Sequence, residues 1–313
     1  VRIAVYGAGS VGGFFGACLA RVGHDVVFIA RGEHLRAIQT GGLRVDSPMG
    51  DFVVAPAEAT DDPGRAGTVD AVIVGVKTWQ VPDAALAIRA MVGKDTFVVP
   101  LQNGVEAPSQ LAAALGAERV IGGLCRIMSI IAGPGHIRHA GLEPTVIIGE
   151  LDRRASARTD GLRQALEQAG VKAHVAPDIH VALWEKFTVL APLSGVGAVT
   201  RAPLGILRTM PETRSLLEQA MREIVAVGRA RSVALPENAV ERAMRGIDAM
   251  PEGGMASMQR DIINGRPSEL EGQNGAVVRL GRESGVPTPV HAFIYAALLP
   301  AELRARGQAR FSL

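Results

Sequence analysis

The residues Gly7-Ala8-Gly9-Ser10-Val11-Gly12 have the spacing of a phosphate-binding turn. They follow the β-branched run Ile3–Tyr6, which reads as a strand, and open a helical pattern over Gly13–Val22. A further strand pattern comes at Val26–Ala30. In that context the first glycine permits a tight turn, the second leaves room for a pyrophosphate, and the third lets helix and strand pack closely. The helix N-terminus then turns unpaired N–H groups and a positive dipole end toward the phosphates. The second strand selects the dinucleotide. NAD-binding turns carry Asp or Glu near its end, for the ribose 2′-hydroxyl. Here the chain reads Phe28-Ile29-Ala30-Arg31, and a guanidinium at Arg31 would pair with a 2′-phosphate. These residues point to NADP(H). Glu33 is the nearby acid, and a solvated surface arginine is the plain alternative.

The elements around this turn follow one rhythm. Strand patterns at Ala71–Val76, Thr96–Pro100 and Val120–Leu124 alternate with helical ones such as Pro82–Met91, which implies βαβ units and a parallel sheet. Leu43–Val45 and Phe52–Val54 read as a hairpin. Beyond Gly133-Pro134-Gly135 the rhythm changes: His136–His139 and Thr145–Ile148 are expected to pair, followed by a helix at Arg158–Ala169 and a last strand at Val171–Val175. From Asp178 onward the patterns are helical: Ile179–Val199, Arg214–Arg231, Ala239–Met250, Leu270–Ser284 and Pro289–Leu303. The expected organisation is a Rossmann-type α/β domain over residues 1–176 and an all-helical domain over residues 177–313. Lys77 and Asn103 fall just after predicted parallel strands, where open α/β sheets bind their ligands. Taken alone, they would be a solvated loop lysine and a turn asparagine.

Composition narrows the function classes. Among 313 residues, 48% are hydrophobic and 20% charged, so a core can form. The net charge of +2 argues against a broad nucleic-acid surface. Aromatic residues at 4% give no stacking surface for bases, while 37 glycines suit many tight strand-to-helix turns. Two cysteines, Cys18 and Cys125, suit buried thiols in a reducing compartment. The uncharged stretch Ile3–Ala20 is too rich in glycine for a secretory signal, and Phe187–Thr200 is too short to span a bilayer. A cytoplasmic protein without membrane attachment is expected. His136 and His139 would point to opposite faces of their strand, so no metal site is expected.

Along nearly its whole length the chain resembles the ketopantoate reductase family (2-dehydropantoate 2-reductases). The resemblance is carried by Gly7–Gly12, Val76-Lys77-Thr78-Trp79-Gln80, Leu101-Gln102-Asn103-Gly104, Trp184-Glu185-Lys186, and Ala256-Ser257-Met258 followed by Ser268-Glu269. It implies an NADP-binding Rossmann domain, a helical C-terminal domain and an active site in the cleft between them. It gives Lys186 the role of proton donor. A lysine, with an ordinary pKa of ~10.4, can both polarise and protonate a carbonyl; without the resemblance Lys186 would be a stem snorkelling from an apolar helix. The resemblance also assigns Lys77 to the cofactor, Asn103 to the nicotinamide end and the substrate, Glu269 to the nicotinamide ribose, and Ser257 to the substrate. The implied reaction is reduction of a small 2-keto acid, with ketopantoate going to pantoate in pantothenate biosynthesis. The alternatives are a more apolar 2-keto acid, or an NADP sensor of the same fold, which would not need a proton donor. A homodimer is left open.

Departures from the family bear on the substrate. Asparagines are frequent four and eight residues after the lysine, on one helix face; here these positions hold Leu190 and Ser194. A further family asparagine is replaced by Leu204. The expected pocket is more apolar than usual, with Ser194 as the remaining partner for a substrate hydroxyl.

Overall fold

The computed structural model describes residues 1–141 and 143–311. The chain divides into two compact units. The first joins Val1–Gln102 with Ala107–Ile179, and the second joins Asn103–Glu106 with His180–Leu313.

In the first unit, β1 (Arg2–Tyr6) runs into α1 (Ser10–Arg21), and β2 (Asp25–Ile29) into α2 (Gly32–Gly41). Next come the antiparallel hairpin of β3 (Leu43–Asp46) and β4 (Phe52–Val54), then β5 (Glu58–Thr60) and β6 (Val69–Val74). After them lie α3 (Val81–Ala87), β7 (Val92–Pro100) and α4 (Ala107–Leu115). The main sheet is parallel throughout, in the order β5-β2-β1-β6-β7. Ile3 and Val5 of β1 enter one hydrophobic core, and Ala4 and Tyr6 the other. A sheet covered on both faces explains why its inner strands read as largely apolar runs, whereas the short edge strand β5 does not. Because β2 flanks β1 on one side and β6 on the other, the turn after β1 opens at the switch in strand order, the usual ligand crevice of such sheets.

The remaining strands of this unit are β8 (Ile121–Arg126), β9 (Ser129–Gly133), β10 (His136–His139), β11 (Thr145–Glu150) and β12 (Lys172–Val175), with α5 (Ala157–Gln168) before the last. The expected pairing of His136–His139 with Thr145–Ile148 does not occur. β10 lies between β3, in parallel, and β9, antiparallel, whereas β11 lies between β8 and β12. The Gly133-Pro134-Gly135 turn closes β9 onto β10 as a hairpin, and both histidines find partners at the end of β3. His136 Nε2 lies 2.7 Å from Asp46 Oδ2, and His139 Nδ1 lies 2.9 Å from Ser47 Oγ. β9 is an edge strand with Ile130 and Ile131 both exposed, so it lacks the alternation that marks a strand in sequence.

Among the described residues no strand follows β12, and the second unit is helical. Its elements are α6 (Ile179–Thr200), α7 (Leu204–Thr209), α8 (Pro211–Ala230), α9 (Ala239–Asp248), α10 (Ser257–Ile263), α11 (Ala276–Glu283) and α12 (Pro289–Ala305). Trp184 and Phe187 of α6 pack with Met221 and Ile224 of α8 and Met258 of α10. Each such side chain contributes about 1.5–3 kcal/mol by leaving water. Glu223 of α8 accepts from the backbone N–H groups of Val290 and His291 at 2.7 and 3.1 Å, and so satisfies the first turn of α12. Burial holds the His291 imidazole below its ordinary pKa. The expected helix at Leu270–Ser284 is not uniform. Glu271–Gly275 forms a π-helical turn, with Gly275 N–H donating to Leu270 O at 3.0 Å, and regular helix begins only at Ala276. Both cysteines are buried and form no disulfide among the described residues, and burial pushes the Cys18 thiol up to about 11. Among the described residues no helix is long and apolar enough to cross a membrane.

Candidate active site

The glycine turn is built as its spacing requires. Gly7 has φ +93°, and a Cβ there would lie 2.7 Å from Val76 Cγ1 and 2.9 Å from Val76 N. Gly7 N and Ala8 N both donate to Ile29 O at 3.1 Å, tying the turn to the end of β2. Gly9 stands at the N-cap of α1 with no side-chain cap, and the first turn of that helix holds no acid. A Cβ at Gly9 would meet nothing within 4 Å. Open space above an uncapped helix N-terminus fits a pyrophosphate. At Gly12, by contrast, a Cβ would collide with Gly7 O. Ser10 opens the helix, Val11 packs against the core, and Ser10 O accepts from Ser129 Oγ at 3.0 Å.

A further support of this turn escaped sequence reasoning. The Gly135 N–H donates to His34 Nδ1 at 3.1 Å, so Nε2 carries the proton and donates to Ala8 O at 2.8 Å. His34 therefore braces the turn from α2. Arg31, three residues before it, is exposed, has extended backbone (φ −138°, ψ 159°) and makes no ion pair among the described residues. Lys77 is exposed in the loop after β6, its backbone N–H held by Gln80 Oε1 at 3.2 Å. Gln102 braces the same loop, donating to Val74 O and Val76 O at 2.8 and 3.0 Å.

In the second unit the structure brings three of the sequence-derived residues together. Lys186 Nζ donates to Asn103 Oδ1 at 2.9 Å, and Asn103 Nδ2 donates to Glu269 Oε2 at 2.9 Å. An ammonium can only donate and a carboxylate can only accept, so the orientation of the amide between them is fixed. Glu269 is buried, and its Oε2 also lies 3.5 Å from Gln273 Nε2. A cation, an amide and a buried carboxylate in series form a polarised chain with the lysine at one end. That arrangement can hold an ammonium beside a substrate oxygen and transfer a proton to it.

Ser268, just before Glu269, is clamped on both sides. Glu302 accepts from its N–H at 3.0 and 3.1 Å and from its hydroxyl at 2.6 Å, and Arg306 donates to its carbonyl at 2.9 Å. Gln273, Asn274 and Glu302 were not expected from sequence. The π-helical turn carries Gln273 and Asn274, both fully buried, at consecutive positions. The four-residue step from Glu269 to Gln273 was the available signal.

Other expected residues stand apart from this chain of hydrogen bonds. Ser257 is the first residue of α10, half-buried, and the helix has no side-chain cap. Leu190 is half-buried on α6, one turn beyond Lys186. Ser194, a further turn along, is fully buried with no hydrogen-bond partner for its hydroxyl among the described residues. Leu204 opens α7, buried within the helical core.

Comparisons with known proteins identify the family. A family model described as ketopantoate reductase PanE/ApbA matches residues 3–153, and its C-terminal counterpart matches residues 178–302. A 2-dehydropantoate 2-reductase of Halobacterium salinarum is 31% identical, over 93% of this chain and 95% of its own. The crystal structure of 2-dehydropantoate 2-reductase from Geobacter metallireducens superposes with a TM-score of 0.89 at 32% identity, covering 96% of this chain and 100% of that one. D-mandelate dehydrogenase, solved with NADH and anilino(oxo)acetate, has the same fold at 24% identity (TM-score 0.89, 98% and 99% covered). The chain belongs to the ketopantoate reductase family and is an oxidoreductase acting on CH–OH groups.

Proposed function

We propose that the protein reduces ketopantoate to pantoate with NADPH, a step of pantothenate biosynthesis that would run in the cytoplasm. The hydrogen-bonded series Lys186–Asn103–Glu269 carries this reading. The glycine turn Gly7–Gly12, Arg31 and Lys77 of the first unit would hold the dinucleotide, with Asn103 and Glu269 at its nicotinamide end. NADPH, when bound, supplies the hydride for the carbonyl carbon. Lys186 gives a proton to the carbonyl oxygen as it becomes a hydroxyl, and the amine left at Nζ takes a proton back from water. Asn103 orients the ammonium, and the carboxylate of Glu269 holds the amide in place. Ser257, with Asn103, would hold the substrate. The test is NADPH oxidation against a panel of 2-keto acids. Turnover of ketopantoate above the others is expected, and no turnover of any 2-keto acid would refute the reading.

Arg31 is the basis for preferring NADPH. Exposed and without an ion pair among the described residues, it is available to a 2′-phosphate at a cost of little more than its own ordering. A charge-assisted contact of about 1.5–3 kcal/mol corresponds to ~10–100-fold in affinity. Arg31→Ala should therefore weaken NADPH by that factor and leave NADH nearly unchanged in a fluorescence titration. Equal binding of the two dinucleotides by the unaltered protein would remove the argument.

A second reading, a more apolar 2-keto acid, is favoured by one observation: Leu190 and Leu204 offer no hydrogen bond. Against it stands the Ser194 hydroxyl, buried and unpartnered among the described residues. A polar group left so costs about 1–3 kcal/mol, which a substrate 4-hydroxyl reaching it would offset. Comparing kcat/KM for ketopantoate and 2-ketoisovalerate, which lacks that hydroxyl, decides between them. A site built for the hydroxyl rejects the analogue by up to ~10⁴-fold, and Leu190→Asn is then neutral or beneficial for ketopantoate. Preference for the analogue, with catalysis weakened by Leu190→Asn, selects the second reading.

A further inference from the structure

The segment Asn103–Glu106 belongs by its contacts to the helical unit, although its neighbours in sequence on both sides belong to the other. Something must hold four residues of irregular backbone there. Gly104 has φ +91°, and a Cβ on it would lie 2.8 Å from Gly272 O, so the segment lies directly on the π-helical turn. Val105 packs against the helical core. At the far end, Arg279 of α11 grips Glu106 through two nitrogens, Nη2 to Oε2 at 2.7 Å and Nε to Oε1 at 3.4 Å. Its third nitrogen, Nη1, donates to Glu271 Oε1 at 2.5 Å, and Tyr295 donates to the other oxygen of Glu271 at 2.7 Å. Burial and the neighbouring Glu271 push the Tyr295 phenol up to about 12, so it remains a donor.

Glu106 lies three residues after Asn103, and Glu271 two residues after Glu269. We propose that Arg279 is a positioning residue: by binding Glu106 and Glu271 at once, it holds the segment bearing Asn103 against the turn bearing Glu269, and so sets the amide that orients Lys186. This rests on the reading of Lys186, Asn103 and Glu269 as the reacting constellation. The planar guanidinium matches a carboxylate with two parallel bonds and still reaches a second one, which an ammonium cannot do. Without it, the bridge between Glu106 and Glu271 is lost, and the segment is held less firmly against the turn.

The test compares Arg279→Ala, Arg279→Lys and Glu106→Gln with the unaltered enzyme. Misplacing a reacting group by about 1 Å costs up to ~10²-fold, so the single-turnover rate at saturating NADPH and keto acid should fall ~10–100-fold in Arg279→Ala. It should fall less in Arg279→Lys and Glu106→Gln, with KM for NADPH little changed in all three. In the ligand-free protein, amide hydrogen exchange over residues 103–106 should rise by ~10-fold or more in Arg279→Ala, as local opening becomes easier, while the rest of the helical unit stays protected. In an Asn103→Ala background the Arg279→Ala effect on rate should shrink to less than ~3-fold, because the two act through one group. If Asn103→Ala slows the enzyme but Arg279→Ala changes neither rate nor exchange, the proposal falls and the reductase constellation stands. A rate loss that persists in full in the Asn103→Ala background also overturns it. If Asn103→Ala itself leaves the rate intact, both fall together.

Discussion

Lys186→Ala is expected to lower kcat by ~10²–10⁴-fold, the usual contribution of a positioned general acid, while NADPH binds almost as before. In free energy this is a loss of about 2.7–5.5 kcal/mol of transition-state stabilisation. The cost to folding is smaller. Lys186 is half-buried on α6, and its removal leaves the Asn103 carbonyl without that charged donor, worth about 1.5–3 kcal/mol and partly offset because no ammonium is then withdrawn from water. Thermal unfolding and dinucleotide titration should therefore look nearly normal in a protein that turns over very slowly. Lys186→Arg keeps the positive charge but does not readily release a proton, so it should restore substrate binding better than turnover. A Lys186→Ala variant with near-normal kcat would return the residue to the role of a stem covering apolar surface, and the reaction would need another proton donor.

How much of this was legible in the sequence differs from element to element. The inner strands β1, β2 and β6 and the C-terminal half of β7 were, because they are buried on both faces and helices alternate with them; the short edge strand β5, with Glu58 exposed, was not. Beyond the first sheet the β3–β4 hairpin was legible too, but the partners of the later strands were not. β10 pairs with β3, which places His136 against Arg44, and nothing local to either segment encodes that register. The π-helical turn was likewise hidden, because one added residue in a turn leaves composition and amphipathic pattern almost unchanged. Asn103, Lys186 and Glu269 could each be named from their motifs. Their joining could not: the amide is 83 residues from its donor and 166 from its acceptor, and only tertiary structure closes such distances. Helix spacing correctly put Lys186, Leu190 and Ser194 on successive turns of α6, but spacing says nothing of depth. Leu190 is half-buried and Ser194 lies entirely out of solvent.

Gly9→Val is expected to abolish productive NADPH binding in a protein that still folds, and both halves of that outcome follow from the local geometry. Gly9 has φ −72° and ψ −162°, ordinary extended backbone open to any residue. A Cβ placed there meets nothing within 4 Å, so a valine side chain enters open space and displaces no part of the core. That space is where a pyrophosphate would approach the first N–H groups of α1. Losing two charge-assisted N–H bonds, at about 1.5–3 kcal/mol each, weakens binding by ~10²–10⁴-fold. Gly12→Ala makes the instructive contrast. Its single added methyl would press on the Gly7 carbonyl, so the turn itself must shift, and the melting temperature should drop along with dinucleotide affinity. Measuring NADPH affinity by titration and unfolding by a thermal melt separates the two cases. Gly9→Val loses affinity at nearly constant stability, while Gly12→Ala loses both. A folded Gly9→Val protein that binds NADPH like the unaltered one would mean that the dinucleotide phosphates lie elsewhere, and the assignment of the Gly7–Gly12 turn would have to be abandoned.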